Sequence, residues 1–386
     1  MINLAPHHTV DVRSLPGTRE TTAYHGGGLF PILALAPNGN VVAALRGGAG
    51  HLGRAARMEV VRSSDAGQTW SPPNPVADSD DDDRDAAFGV SSHGTLVLLY
   101  QREHRYDSDG NYQAGLPTSN PKPIALMATR SLDNGLTWEE PYPLSFDPLA
   151  RVSFFGKVVS LNDGTLLAPL YNSRSRADEQ SEQMYDTAYL VRSQDDGRTW
   201  GDISQIAPHR NETALIVLSE GDLLAVQRDD TAQALHSTRS QDGGRTWSPP
   251  TQITQARQHP ADMVRLSNGD ILLTYGNRTP PYRIEGRISR DGGRTWLDCL
   301  LTFSAHLYGY TAEESRRTDL GYPSSVVLSG GQGITMYYYN PSMRLAVDAR
   351  QRASNPFYQN KDYCAVAVTW QEEELIAAVE NTIGGQ

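Results

Sequence analysis

The sequence predicts an all-β protein, a six-bladed β-propeller whose blades are four-stranded antiparallel sheets. Three observations support this prediction. The 386 residues include 34 Gly and 23 Pro, which interrupt the chain throughout and argue against a helical protein. One turn motif recurs five times, and a pattern of two apolar strands joined at a Gly recurs six times. Six small sheets cannot each bury both faces alone, so we expect them to stack around a central channel.

The recurrent turn motif is S-x-D-x-G-x-T-W, which contains five of the six tryptophans of the chain. In such a tight turn the Asp side chain can accept hydrogen bonds from backbone N–H groups, and the Gly can adopt a positive φ. The Trp can pack into the core. The motif therefore predicts the turn between the last two strands of a blade. Its copies begin at Ser63, Ser131, Ser193, Ser240 and Ser289.

Two apolar strands that flank a glycine turn precede each copy of the motif. The sixth such pair is followed by an apolar strand that ends at Trp370 without the motif. We interpret residues 1–386 as a single propeller domain. A strand at about residues 8–13 would close the last blade, and residues 371–386 would form a short C-terminal tail. The six glycine turns lie at or near Gly39, Gly94, Gly164, Gly221, Gly269 and Gly331.

Charge and composition argue against several classes of partner. A formal net charge of −11 disfavours nucleic acid and anionic membranes, although a local cationic pocket could still bind an anionic small molecule. No apolar run is long enough to span a bilayer, and no secretory signal is visible. We expect a cytoplasmic protein, with a secreted mature form as the alternative. No spacing of metal ligands predicts a metal or another cofactor. The acidic residues 78–83 predict a solvated loop, and the oligomeric state is left open.

The predicted strand order separates two faces of the propeller. In an up-and-down blade the glycine turns and the Asp turns lie on one face, and the segments before the first strand and after the second strand lie on the other. Arginines and carboxylates that have no role in turn formation collect in these latter segments. Because loops on a rigid scaffold commonly carry function, this face predicts a binding site for an anionic, hydroxyl-rich ligand.

The chain resembles the sialidase (neuraminidase) superfamily of Asp-box, or BNR-repeat, propellers over residues 25–370. Its Asn-Glu segment at Glu212 is similar to the family segment whose Glu contacts a nucleophilic Tyr. Tyr322, in Gly-Tyr-Pro-Ser-Ser, is similar to the segment that carries this Tyr. The resemblance implies that Tyr322 is the nucleophile and Glu212 its base. A neutral phenol, whose reference pKa is about 10, needs such a base, and it brings no second anion toward an anionic substrate.

The resemblance also implies arginines that bind the substrate carboxylate. Arg228, at the end of the second strand of the fourth blade, matches one of them, and either Arg278 or Arg283 would be a second. The family's first arginine is absent, because Leu29 stands at its place. Arg84 could replace this missing charge.

The family's acid/base Asp is absent as well, because residues 46–58 contain no acid. Two groups remain as candidates for its role, namely His51, which could exchange a proton near neutral pH, and Asp85, which opens the second blade. Each also has a purely structural interpretation. His51 could stabilise its loop, and Asp85 could belong to a solvated acidic segment. Further candidates for substrate binding on this face are Arg54, Lys157, His259, Asp262 and Asp319.

The expected function is that of a sialidase-like exo-glycoside hydrolase that releases a terminal, acidic sugar from a glycan. One alternative is a polysaccharide lyase that acts on a uronate-containing glycan, in which Tyr322 or His51 would abstract a proton next to the carboxylate. The other alternative is a carbohydrate-binding propeller without catalysis, which the missing acid favours. In each case the expected partner is a carbohydrate.

Overall fold

The computed structural model describes residues 3–110, 112, 124–149, 151–175, 184–219, 221–304, 320–340 and 363–384. These residues form 26 strands, a short 3-10 turn at Val12–Ser14 and one α-helix, α1, at Glu372–Gly384. In chain order the strands are β1 (His8–Asp11), β2 (Arg19–His25), β3 (Leu29–Leu35), β4 (Val41–Gly47), β5 (Arg57–Ser63), β6 (Asn74–Ala77), β7 (Asp82–Val90), β8 (Leu96–Glu103), β9 (Ile124–Ser131), β10 (Tyr142–Leu144), β11 (Val152–Phe154), β12 (Gly156–Ser160), β13 (Leu166–Ser175), β14 (Met184–Ser193), β15 (Gly201–Pro208), β16 (Arg210–Ser219), β17 (Asp222–Asp229), β18 (Leu235–Ser240), β19 (Thr251–Gln252), β20 (Gln258–Arg265), β21 (Ile271–Asn277), β22 (Arg283–Ser289), β23 (Cys299–Thr302), β24 (Gly321–Val327), β25 (Gln332–Tyr339) and β26 (Cys364–Gln371).

The strands form five hydrogen-bonded sheets in a propeller-like arrangement, which confirms the all-β prediction. Four of the sheets are blade-like units of four or five strands, with the orders β3-β4-β5-β6, β16-β17-β18-β19, β2-β26-β25-β24 and β1-β23-β22-β21-β20. The fifth sheet has nine strands in the order β10-β9-β8-β7-β12-β13-β14-β15, with β11 paired to β13. Within each unit, strands that are consecutive in the chain are hydrogen-bonded neighbours, as the repeat predicts.

The structure has five hydrogen-bonded sheets where the sequence predicts six, because two of the predicted blades are joined. Strands β7 and β12 pair in parallel, with Ala87 opposite Gly156 and Gly89 opposite Val158. This approach requires a glycine, since a Cβ at Gly89 would lie 2.1 Å from the carbonyl oxygen of Val158. The joint is a tertiary contact that the repeat pattern does not contain.

The strand that completes the last sheet also differs from the prediction. Strand β1, at His8–Asp11, pairs in parallel with β23 and extends the preceding sheet instead. The last sheet is completed by β2, at Arg19–His25, which pairs antiparallel with β26. Both segments alternate like strands, so alternation alone does not separate them.

This pairing explains why the sixth sheet unit lacks the Asp turn. The turn normally joins the third and fourth strands of a unit, but here the third strand is β26 and the fourth is β2, which lie far apart in the chain. The chain after β26 continues as α1, whose Leu375 and Val379 are buried against the sheet. No helix among the described residues is long and apolar enough to cross a membrane.

An arginine precedes four of the five Asp turns and binds the Asp turn of the next unit. The fifth turn is preceded by Ile288, and the next unit has no Asp turn to bind. The arginine and the serine after it thus form a longer motif, R-S-x-D, that ties neighbouring units together. The guanidinium contacts to backbone oxygens are Arg62 to Gly135 (2.8 Å), Arg130 to Asp196 (3.1 Å), Arg192 to Gly243 (2.8 Å) and Arg239 to Gly292.

A largely buried lysine joins the first strands of three different units. Lys157 Nζ on β12 donates to Asp262 Oδ2 on β20 at 2.7 Å and to the carbonyl oxygen of Ser325 on β24 at 2.6 Å. The backbone N–H of Ser325 donates to the same oxygen of Asp262 at 2.7 Å. The two charged side chains are only 14% and 8% exposed, so this ion pair is shielded from water.

We expect Lys157→Met to lower the free energy of unfolding by about 3–5 kcal/mol, because it leaves the carboxylate of Asp262 buried without a cation. Urea denaturation measures this change. Arg245→Met is the matched control, since it breaks an ion pair with Asp202 whose side chains are 49% and 46% exposed and should cost at most about 1 kcal/mol. Equal losses in the two variants would contradict the prediction, and adding Asp262→Leu to Lys157→Met should recover part of the loss.

Candidate active site

A β-bulge recurs at the same register in the first strand of five units. At each bulge two residues of the first strand lie opposite one residue of the second strand. Bulges re-aim side chains and are common near active sites. Asp85 and Tyr322 adopt a positive φ in their bulges, which is rare for residues other than Gly. The bulged pairs are Phe30-Pro31, Asp85-Ala86, Asn211-Glu212, His259-Pro260 and Tyr322-Pro323.

The structure brings the predicted nucleophile and its predicted base into contact. The hydroxyl of Tyr322 donates a hydrogen bond to Glu212 Oε1. The other oxygen of this carboxylate, Oε2, accepts a hydrogen bond from Arg228 Nη1 at 2.9 Å. Glu212 and Tyr322 lie in two of the bulges, and Arg228 lies on β17, which pairs with the strand of Glu212. The strand geometry itself therefore assembles the group.

Burial and charge set the ionisation of Tyr322. Burial is the main cause that raises the pKa of its phenol well above the ordinary value, and the neighbouring Glu212 carboxylate raises the pKa further. Arg278 and Arg228 act in the opposite direction. The phenol is therefore neutral near pH 7, and its oxygen gains nucleophilic character when Glu212 accepts the proton.

Arg278 and Arg283 differ in their partners. The Nε of Arg283 donates to Glu285 Oε1 at 2.7 Å, so its charge is neutralised locally. The guanidinium of Arg278 lies 5.5 Å from the centroid of the Tyr322 ring. Its Nε and Nη2 atoms are buried and have no hydrogen-bond partner in the described part of the chain. Of the two candidates left open by the sequence, Arg278 is therefore the one placed to bind an anion beside Tyr322.

Aromatic rings form a wall around Tyr322. The ring centroids of Phe30, Phe155 and Tyr338 lie 4.7, 5.4 and 5.7 Å from that of Tyr322. The ring of His51 packs edge-on against Phe30 with 5.1 Å between centroids. His51 thus reaches this cluster, with Phe30 between it and the nucleophile.

Arg84 and Asp85 lie beside each other and form an ion pair. Asp85 Oδ2 is 3.2 Å from Arg84 Nε and also accepts a hydrogen bond from Gln101 Nε2 at 2.9 Å. The carboxylates of Asp85 and Glu212 both raise the pKa of the buried Tyr171 phenol, whose main perturbation is burial. Asp85 therefore faces the same region as Glu212, although its charge is already matched by Arg84.

Several other predicted ligand contacts are placed less favourably. The charges of Lys157 and Asp262 are used on each other, which speaks against a role in binding. Arg54 is 44% exposed and its Nη2 donates to the carbonyl oxygen of Asp80 at 3.2 Å. Asp319 lies outside the described residues.

His259 lies next to the arginines of the site. It is fully buried, and burial lowers the pKa of its imidazole well below the ordinary value. The nearby Arg278, Arg228 and Arg257 lower the pKa further, so the ring is neutral near pH 7. Neither ring nitrogen has a hydrogen-bond partner among the residues that the structure describes.

A second group in which a tyrosine and an arginine bind one carboxylate was not predicted from the sequence. Asp82 accepts hydrogen bonds from the hydroxyl of Tyr106 and from Arg46 Nη1. Asp82 and Asp83 are fully buried on β7, so the expectation of a solvated acidic loop is wrong for these two residues. Arg102 Nε donates to Asp83 Oδ1 at 3.1 Å. Arg46, on β4, and Arg102, on the paired strand β8, offset the buried charges.

A third group of the same kind involves Tyr24. Its hydroxyl donates to Glu59 Oε2 at 2.5 Å, and Arg57 Nε donates to Glu59 Oε1 at 2.6 Å. The sequence feature that could have predicted this group is Glu59, an acid within the apolar segment MEVV. The Tyr–carboxylate–Arg arrangement thus recurs in the described residues, and what distinguishes Tyr322 from Tyr24 and Tyr106 is Arg278 over its ring, two of whose guanidinium nitrogens are buried without a hydrogen-bond partner there. No group of three or more His, Cys, Asp or Glu in the described residues could hold a metal ion.

Comparison with known families decides where this chain belongs. A sequence profile described as "BNR repeat-like domain" matches residues 112–334, more than half of the chain. The chain belongs to the BNR repeat-like domain family. A search of curated protein sequences gives no match.

Solved structures of several sialidases and of a protein of unknown function share this fold. A protein of unknown function from Dyadobacter fermentans superposes with a TM-score of 0.71 at 20% identity, over 93% of this chain and 100% of its own. The Hadza microbial sialidase Hz136 gives 0.63 at 19% identity, over 90% of this chain and 66% of its own. The Trypanosoma rangeli sialidase in complex with sialic acid gives 0.63 at 15% identity, over 98% and 62%. These likenesses establish a sialidase-like fold.

We expect Tyr322 to remain protonated above about pH 10, the reference pKa of a tyrosine. Because its folded-state pKa is raised, the stability that it contributes is full below about pH 10 and is lost as the pH rises further. NMR of protein labelled at the tyrosine Cζ carbon measures the titration, and the resonance is assigned by its loss in Tyr322→Phe. The urea-unfolded protein is the control and should titrate near 10. A Tyr322 resonance that titrates together with the unfolded control would contradict the expectation.

Proposed function

We propose that the protein is a sialidase-like exo-glycoside hydrolase that releases a terminal, acidic sugar from a glycan. The observation that carries the proposal is the hydrogen bond from Tyr322 to Glu212, with Arg228 on the same carboxylate and Arg278, whose Nε and Nη2 have no hydrogen-bond partner in the described residues, over the Tyr322 ring. A nucleophile with a base, beside two cations, suits attack on the anomeric carbon of an anionic sugar.

In the proposed reaction the Tyr322 oxygen attacks the anomeric carbon while Glu212 accepts the phenol proton. The bond between the anomeric carbon and the leaving oxygen breaks, and this oxygen receives a proton from an acid, for which His51 and Asp85 are the candidates. Water then attacks the same carbon, gives one proton to the conjugate base of that acid and restores the phenol with the proton held on Glu212. No electrons are transferred to another molecule.

The position of the arginines favours one class of acidic sugar. Arg228 and Tyr322 bind the two oxygens of the same Glu212 carboxylate, so a ligand carboxylate held by Arg228 lies close to the attacking oxygen. This supports a substrate whose carboxylate is attached to the anomeric carbon. In a hexuronate the carboxylate is attached on the far side of the ring oxygen, which fits less well.

A carbohydrate-binding protein without turnover is the second candidate. This candidate is favoured because Arg84 and Gln101 already bind the carboxylate of Asp85, which is one of the two candidate acids. A lyase has less support, because burial raises the pKa of Tyr322 and a neutral phenol cannot abstract a proton in the resting state.

We also propose that the nine-stranded sheet comprises two blades, which makes six in total. The two four-stranded runs within it, β7 to β10 and β12 to β15, each repeat the order of the other units. Their joint is limited to three residue pairs.

We expect Tyr322→Phe to reduce kcat for an aryl 2-ulosonide, such as an aryl sialoside, at least about 10³-fold, because the nucleophilic oxygen is removed. Release of the aryl group is followed by absorbance. Tyr24→Phe and Tyr106→Phe are matched controls, since each removes a hydroxyl bound to a carboxylate with an arginine partner. If neither the aryl ulosonide nor aryl hexuronides and neutral aryl glycosides are cleaved by the native protein, the hydrolase proposal fails and the binding alternative stands.

We expect Arg278→Ala to raise KM for the aryl ulosonide about 10- to 100-fold, because a charged hydrogen bond to the carboxylate is lost. Arg283→Ala is the control and should change KM little, since Arg283 is bound to Glu285. Steady-state kinetics of both variants separate the two roles. A larger increase in KM for Arg283→Ala would reverse the assignment.

A further inference from the structure

The side chain of Asn211 links the base of the candidate site to two partly buried acids. Its Nδ2 donates to Asp186 Oδ2 at 2.9 Å and to Asp230 Oδ1 at 3.2 Å. Its Oδ1 accepts a hydrogen bond from the backbone N–H of Glu212 at 2.8 Å. Both donors and the acceptor of the amide are therefore used.

The two carboxylates determine which way the amide points. A carboxylate accepts hydrogen bonds only, so both acids require the NH₂ end of the amide. The reversed amide would place its oxygen against two carboxylates. The oxygen must therefore face the backbone N–H of Glu212, which the bulge would otherwise leave without a ladder partner.

The acids themselves are fixed by neighbouring strands. The backbone N–H of Asp186, on β14, donates to Asp230 Oδ2 at 2.8 Å, and Ser173 Oγ on β13 donates to Asp186 Oδ1 at 2.5 Å. Asp230 follows β17 directly. Asn211, on β16, thus contacts acids from β14 and from the end of β17. The equivalent residues in the other four bulges are Phe30, Asp85, His259 and Tyr322.

We propose that Asp186 and Asp230 are positioning residues that act through the Asn211 amide to aim the Glu212 carboxylate at Tyr322. The inference rests on the proposed function only for its effect on turnover. The alignment of Glu212 with Tyr322 can be measured whether or not the protein is an enzyme.

The charge around Asp230 supports a coupling to pH. Burial raises the pKa of its carboxyl to about 6, and the neighbouring Asp186 and Asp229 add to the shift. The N–H of Asp186 and the cation of Arg228 act in the opposite direction. Arg210, on β16, binds Asp229 at 2.6 Å and so balances that acid. Above about pH 6 the carboxyl of Asp230 is charged, and below it the pull of Asp230 on the amide weakens.

The test replaces the amide by a carboxylate of the same shape. In Asn211→Asp both donors are lost and three acids repel one another, so Glu212 should move away from Tyr322. The Cζ resonance of Tyr322 should then shift, and kcat for the aryl ulosonide should fall about 100-fold with KM little changed. Adding Asp230→Asn supplies a new amide donor and should restore both values in part.

A matched control exists on the other face of the protein. Asn268 Nδ2 donates to Asp270 Oδ2 at 2.9 Å, and its Oδ1 accepts from the backbone N–H of Asp270 at 3.0 Å. Asn268→Asp repeats the chemical change far from Tyr322 and should leave both its resonance and kcat unaltered. In the native protein the Tyr322 resonance should show a step near pH 6 that Asp230→Asn alone removes.

The outcomes separate this inference from the proposed function. A Tyr322 resonance that Asn211→Asp leaves in place, in a protein whose thermal melting is still cooperative, overturns the positioning role. If Asn211→Asp does not fold, Asp230→Asn decides by the presence or loss of the step near pH 6. A protein that cleaves no glycoside but shows the resonance shifts refutes the hydrolase and supports the alignment of Glu212 by the two acids.

Discussion

The buried cation of Lys157 fixes the inner strands on which the candidate site depends. It is bound by Asp262 and by the backbone of Ser325, which belong to two other units. A residue of the site region lies two or three positions before each of these contacts, namely Phe155 directly before β12, His259 on β20 and Tyr322 on β24. A displacement of one inner strand would therefore break an ion pair in low dielectric, which makes the relative placement of these residues resistant to change.

The two faces of the molecule use the same scaffold for opposite purposes. On the face of the turns, identical residues recur, and arginines such as Arg130 bind the next turn and hold the units in a regular array. On the other face the bulges keep the backbone geometry constant while the residues differ from unit to unit. The fold thus provides equivalent positions, and chemistry arises where unlike residues, such as Glu212 and Tyr322, meet across units.

Repetition explains how much of the structure could be predicted from the sequence. The Asp turns and the paired apolar strands depend on local contacts, and the pairing of Tyr322 with Glu212 was implied by the resemblance to the sialidase superfamily. The choice of β2 over β1 as the closing strand, and the joint at Gly89, depend on partners distant in the chain. The choice between Arg278 and Arg283 also needed the structure, although Glu285 is close to both in the chain, because side-chain direction decides that Glu285 neutralises Arg283.

The sheet that carries Tyr322 is also the one that joins the two ends of the described chain. Within it, the hydroxyl of Thr369 donates to the carbonyl oxygen of Arg19, across 350 residues of sequence. Pairings of such high sequence separation incur the largest loop-closure entropy and form late in folding. The predicted nucleophile, Tyr322, therefore lies in the sheet whose closure costs the most chain entropy, so we expect a partly folded chain to form its other sheets before it forms the candidate site.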